Sequence, residues 1–175
     1  TAHILPNQVN NIIQSFGSDE VFKEMFDSNK ETSDFSKLLI NMSKYSISKS
    51  VILGYGWTNF EVLKMSNSYN LDCASNNKEL IPFCSINPHF GKKNSDELER
   101  CISLGAKGIG EIHPTVQNLE MNNLEIWKDT MQIALSADLP ISIHCSEPVG
   151  HIYPGKGNTE PVSYTHLTLP TKRIV

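Results

Sequence analysis

The stretch PISIHCSE, Pro140 to Glu147, carries an apolar alternation straight into a histidine, a cysteine and a carboxylate. Comparable groups stand at His3, in the opening TAHILP, and at Glu111 and His113, which close AKGIGEIHP. Imidazole and carboxylate side chains suit zinc and similar divalent ions. An ion with an open coordination position lowers the pKa of a bound water toward ~7 and so supplies hydroxide at neutral pH. Plainer uses exist for the same residues. A histidine that ends a buried strand can be a hydrogen-bonded core residue, and a strand-end carboxylate can pair with a neighbouring Lys or Arg.

The elements that must position these groups follow a repeating grammar of a short β-rich run, a polar loop and a segment with helical spacing. The expected strands are residues 3–5 (HIL), Lys49 to Tyr55, Leu80 to Ile86, Ala106 to Ile112 and Pro140 to Cys145. Helices are expected over Asp34 to Tyr45, from a Thr58 cap through Ala74, from Ser95 to a stop at Gly105, and from Asn122 or Asn123 to a stop before Pro140. Strand and helix alternate at the length of a βα unit, roughly 30 residues, so the sheet should be parallel and covered by helices.

Five such units can belong to a doubly wound sheet or to an eight-stranded barrel cut short. His3, Glu111, His113 and His144 all fall at or just past the carboxyl ends of expected strands, the face on which a βα barrel gathers its catalytic groups. A doubly wound nucleotide-binding sheet would show a glycine fingerprint after its first strand, and none follows His3. The nearest imitation of a phosphate loop, GHIYPGKG at residues 150–157, has Gly157 where a Ser or Thr would be needed, and no helical pattern follows it. The expected fold class is therefore α/β, a partial (β/α)8 TIM-type barrel of about the first five units.

Composition narrows the partners. The chain of 175 residues is 39% hydrophobic with a formal net charge of -4, and shows no basic stripe of the kind that tracks phosphates, so nucleic acid is not expected. Its four cysteines lack CxxC spacing, which fits a reducing, cytoplasmic setting. No apolar run reaches the ~18 residues of a membrane span, and no signal-peptide pattern opens the chain, although its first residue is Thr1 rather than Met.

Together TAHILP, the KSVILG strand, GAKGIGEIHP and LPISIHCSEPVGH resemble the metal-dependent hydrolases of the amidohydrolase superfamily, and within it the amidohydrolase-related branch. The likeness runs from Thr1 to about Glu160. It implies a βα barrel holding one or two divalent metals, zinc being the expected ion. It implies as well a small-molecule substrate as the partner, and a homo-oligomer is a possible further partner. His3 then matches the second histidine of the first-strand pair and His144 the strand-five histidine. Glu111 stands where relatives such as the TatD-type deoxyribonucleases carry a strand-four metal carboxylate. Thr1 departs from the pattern, because a histidine would occupy that position in the family.

The likeness also implies a proton-shuttling aspartate on the last strand, and no residue of this chain is recognisable as that group, so the catalytic residue stays unassigned. His113, before Pro114, is read as a rim or substrate group. His151, Tyr153 and Lys156 are candidate substrate contacts in the loop after strand five, with a merely solvated loop as the alternative. His89 and Trp57 also follow strands on the presumed active face, Trp57 with core packing as its other reading.

Residues 161–175 break the grammar. Val162 to Thr171 resembles the in-frame translation of a transposon-end sequencing adapter, which would make the strand-like His166 a coincidence. The expected organisation is thus residues 1–160 as a truncated metal-dependent hydrolase barrel and residues 161–175 as a non-native tail. The activity implied for the parent protein is metal-dependent hydrolysis of a small-molecule C–N or C–O bond. A nonoxidative decarboxylase, a TatD-type nuclease and a noncatalytic half-barrel are the alternatives.

Overall fold

A computed structural model describes residues 1–6, 16–25 and 34–145. In chain order the elements are β1 (Ala2–His3), α1 (Glu20–Met25), α2 (Phe35–Lys44), β2 (Ser50–Leu53), α3 (Phe60–Asn76), β3 (Leu80–Cys84), a 3-10 turn (Pro88–Phe90), α4 (Lys92–Ser103), β4 (Gly108–Ile112), α5 (Leu124–Ser136) and β5 (Ile141–Ile143). The strands form one sheet in the order β1-β2-β3-β4-β5, with every neighbouring pair parallel. A doubly wound sheet would reverse its order at a switch point; a barrel adds each strand beside the last. The sheet curls into a half-barrel with helices between its strands, the expected α/β architecture.

Burial follows the two faces of the sheet. In β3, Leu80, Pro82 and Cys84 are buried while Ile81 and Phe83 are half-buried. Cys84, Ile109 and Ile112 pack with Leu98 and Cys101 of α4 and with Trp127 and Ala134 of α5, so the helix-facing side is the main core. Ile4, Ile52 and Leu80 form a second cluster with Met42 of α2 and Cys73 of α3. A third cluster, with Leu5, Phe16, Phe22, Trp57 and Val62, gathers around the segments that leave β1 and β2.

Helix boundaries reflect local hydrogen bonding. Asp34 caps α2 by accepting from Lys37 N at 2.9 Å, as the sequence suggests. The cap of α3 is Asn59, one residue beyond the expected Thr58; its Oδ1 accepts from Glu61 N at 2.9 Å. α4 starts at Lys92 behind Gly91, not at Ser95, which corrects the sequence reading. Asn94 explains the difference, because its side chain turns inward to serve Asn87 N and Thr130 Oγ1 instead of marking a polar approach to the helix. α1 was not expected from the sequence. Asp19, 0% exposed, starts it by accepting from Val21 N at 2.9 Å. The four cysteines form no disulfide, and among the described residues no helix is long and apolar enough to cross a membrane.

Candidate functional site

Curling of the sheet draws the carboxyl ends of the strands together. Beyond β2, Gly54 N donates to Gly110 O at 3.3 Å and Gly54 O accepts from Glu111 N at 3.1 Å, so the end of β2 touches β4 directly. β4 also carries a register irregularity against β5: Ile109 pairs with Ile141 and Ile112 with Ile143, three steps on one strand against two on the other. This is a bulge. It lets both Ile109 and Ile112 lie on the helix side in the main core, although residues three apart on a regular strand face opposite ways. Glu111, between them in the chain, is left half-buried at the strand end.

Three of the expected residues meet there. His3 Nε2 lies 3.3 Å from Glu111 Oε2, and His144 Nδ1 lies 3.2 Å from Glu111 Oε1. His144 is placed by its own backbone, whose N–H donates to Ile112 O at 2.7 Å. The side chains of His3, Glu111 and His144 are 28%, 20% and 26% exposed, so the cluster is sheltered but reachable. Burial alone would raise the Glu111 pKa. The hydrogen bonds from His144 and His3 outweigh it and hold the carboxyl at about 2.

A divalent ion would need unshared lone pairs here. His3 Nδ1 and His144 Nε2 are buried and, among the described residues, have no hydrogen-bond partner. A ring nitrogen that faces an ionised carboxylate carries the proton, which leaves the other nitrogen as an acceptor. The donor types and these two unpaired nitrogens fit a metal. As they stand, no group of three or more His, Cys, Asp or Glu among the described residues is arranged around a common ion position, because the two oxygens of Glu111 face the two imidazoles.

The family model described as Amidohydrolase matches residues 16–172. The chain belongs to the amidohydrolase family. The match extends into residues 161–172, part of the stretch that reads as adapter-derived. Among curated proteins no sequence matches significantly. Solved structures show the same fold as this amidohydrolase chain. A 5-carboxyvanillate decarboxylase from Novosphingobium aromaticivorans, with bound manganese and 3-methoxy-4-hydroxy-5-nitrobenzoic acid, superposes with a TM-score of 0.56 at 15% identity, covering 79% of this chain and 46% of its own. A 2,6-dihydroxybenzoate decarboxylase complexed with 2,6-dihydroxybenzoate gives 0.53 at 14%, and one from Rhizobium 0.53 at 13%, each covering 84% of this chain and 49% of its own. The amidohydrolase chain therefore spans about half the length of the structures it matches.

Two aromatic contacts flank the cluster in the amidohydrolase half-barrel. The Tyr55 ring stacks on His3 with centroids 4.4 Å apart at 24°, and Trp57 meets Tyr55 edge-on at 5.2 Å. Burial, then the Glu111 charge, push the Tyr55 phenol up to about 12, so it stays neutral at physiological pH. On the other side His113 stacks on His144, centroids 4.0 Å apart at 16°. His113, expected as a rim group, is thus in ring contact with one of the three clustered residues.

Of the other expected residues, His89 is exposed and bonded through Nε2 to Asn118 O at 2.9 Å. Trp57 is 0% exposed and packs in the third cluster, the core reading for that residue. His151, Tyr153 and Lys156 lie outside the described residues.

Sequence reasoning missed the buried amides beneath the site. Asn67 accepts from Ser85 N at 2.7 Å and donates to Ser85 O at 3.1 Å and Glu97 Oε1 at 3.0 Å. Asn87 Nδ2 donates to Trp57 O at 3.1 Å, and Gln117 Nε2 donates to Ile86 O at 2.7 Å. The Asn87 and Gln117 bonds stitch the loops after β2, β3 and β4 to one another, while Asn67 ties α3 to the end of β3 and to α4. Asn and Gln read as solvated residues, in a helix as in a loop, and no spacing marks their partners.

Proposed function

We propose that this chain carries the front half of a metal-dependent enzyme of the amidohydrolase family that hydrolyses a C–N or C–O bond of a small molecule. The observation that supports this reading is Glu111 held between His3 and His144 at the carboxyl ends of β4, β1 and β5. His3 Nδ1 and His144 Nε2 would offer the ion their lone pairs, and Glu111 would join them as a ligand once one of its oxygens turns from the imidazole it now faces. When bound, the ion supplies a water of lowered pKa and polarises the bond under attack. Zinc suits the nitrogen and oxygen donors, and manganese accepts the same types.

The chain's own residues have distinct tasks in this reading. Glu111 orients both imidazoles through their ring N–H groups. Tyr55 and His113 cover the faces of the two histidines and limit access of bulk water. His113, with His151, Tyr153 and Lys156, would contact substrate. A cytoplasmic location and a small-molecule partner belong to the same proposal, as does treatment of residues 161–175 as a non-native tail.

Nonoxidative decarboxylation at the same centre is the second reading. It is supported by the three solved structures that share the fold, each a decarboxylase of an aromatic acid.

Calorimetric titration of the chelator-stripped chain with zinc and with manganese tests the centre. Uptake of an ion that H144A abolishes is expected; absence of uptake, or uptake indifferent to H144A, would reject it. The loaded parent protein assayed for acid release from amides and lactones, and for carbon dioxide release from hydroxylated benzoates, separates the two reactions.

A further inference from the structure

We propose that Gln117 and His113 form a positioning pair that holds the His144 imidazole in the orientation in which it takes a divalent ion. The inference rests on the metal-centre reading and adds to it two residues that were assigned no part in holding the metal.

The chain of contacts starts in the core. Gln117 is 3% exposed, and its Oε1 accepts from His113 N at 2.8 Å while its Nε2 donates to Ile86 O at 2.7 Å. The first residue past β4 is therefore tied to the loop past β3. On the other side, a Cβ at Gly56 would meet His113 Cβ at 2.5 Å, so the backbone past β2 already stands against the base of the His113 side chain. Confined between these neighbours, the His113 ring lies nearly parallel to His144 at a centroid distance of 4.0 Å.

His144 needs such a partner. Its Nδ1 contact with Glu111 fixes one ring atom, which leaves rotation about that contact open. A flat ring at van der Waals distance closes that freedom and holds Nε2, buried and unpaired among the described residues, in one place. Groups that orient a metal-binding histidine are worth roughly 10–100-fold in metal affinity when removed. His113 and Gln117 are positioning residues here, acting through His144.

The test compares the chelator-stripped full chain with its H113F, H113A, Q117A and H144A variants. Zinc affinity is measured by calorimetry, thermal stability by circular dichroism, and the His144 ring-proton signals by NMR without metal. H113F keeps a flat ring and removes both ring nitrogens. It should bind zinc within about twofold of wild type, whereas H113A and Q117A should weaken binding roughly tenfold. The His144 ring signals should move in H113A and return toward wild type in H113F.

Equal loss in H113F and H113A would mean that a His113 nitrogen acts directly, which overturns the proposal. So would unchanged affinity and unchanged His144 signals in H113A. If H113A does not fold, H113L, which fills the space without a flat face, takes its place with the same expectations. If wild type takes up no zinc, the metal-centre reading fails. The positioning pair is then judged by the His144 ring signals alone, and their indifference to H113A would reject it.

Discussion

Glu111 Oε1 lies 3.2 Å from His144 Nδ1, joining the ends of β4 and β5 by a side-chain contact as well as by the sheet. With His3 on the other oxygen, the carboxyl is held at about 2 against an ordinary 4.5. The sign of the resulting pH dependence follows from linkage. A carboxylate with a lowered folded-state pKa contributes stability that is fully present above the unfolded value and is lost as pH falls through the folded one. Urea denaturation of the metal-free chain should show wild type losing stability relative to E111Q between pH 4.5 and 2, by up to roughly 3 kcal/mol. Parallel pH profiles for the two proteins would contradict the pairing.

Asn67 gives the largest expected effect away from the cluster. Its amide serves Ser85 N, Ser85 O and Glu97 Oε1, all in the buried layer between α3, β3 and α4. Asn67→Leu keeps the approximate volume and leaves these groups without that partner. Glu97 Oε1 keeps its Arg100 partner, while Ser85 N and O are stranded at about 1–3 kcal/mol each, so a loss of roughly 3 kcal/mol or more is expected in equilibrium denaturation. Glu97 should couple to it. Burial raises the pKa of Glu97, but the Arg100 and Asn67 hydrogen bonds bring it below the usual value, and a double-mutant cycle of N67L with E97Q should therefore be non-additive.

The strand-end residues His3, Glu111 and His144 were legible because period-two apolar runs mark where strands stop, and sequential βα units place those stops on one face. What fills the space between the strand ends was not legible. Tyr55 reaches His3 from a distant part of the chain, and Gln117 works through one side chain bonded to His113 and Ile86. The onset of α4 failed for a related reason: in Lys92-Lys93-Asn94 no apolar spacing reveals that Asn94 is 3% exposed and belongs to the interior. Buried polar partners are chosen by the tertiary fold, and a linear pattern carries no trace of them.

Helix α4 ends as the sequence suggests, and its ending can be tested alone. Gly105 has φ +101, its N–H donates to Ile102 O at 3.0 Å, and Ala106 N donates to Cys101 O at 2.9 Å, a glycine-closed helix end. A Cβ there would meet nothing within 4 Å, so Gly105→Ala isolates the backbone effect at roughly 1–2 kcal/mol of destabilisation. Helix α2 closes in the same way through Ser46 at φ 56, with Ile47 N donating to Met42 O at 2.8 Å. Ser46→Gly should shift stability in the opposite direction by up to about 1 kcal/mol, and urea midpoints of the two variants measure both signs.

Gly110 links fold and site most directly. It sits in the β4 bulge at φ +142, and a Cβ there would lie 2.7 Å from Ser142 O and 2.8 Å from Ser142 Cβ. The backbone oxygen of β5 cannot yield without disturbing the pairing that carries Ile143, and through it His144. Gly110→Ala should therefore destabilise by roughly 2 kcal/mol or more, combining left-handed strain with a steric clash. It should also separate Glu111 from His144 even in molecules that stay folded. The pair of measurements is a urea midpoint and the depressed Glu111 pKa, followed by carboxyl NMR in the metal-free chain. Return of that pKa toward 4.5 in G110A, with a smaller change in G105A, which is destabilised away from the site, would show that the bulge sets the carboxylate rather than merely supporting the sheet.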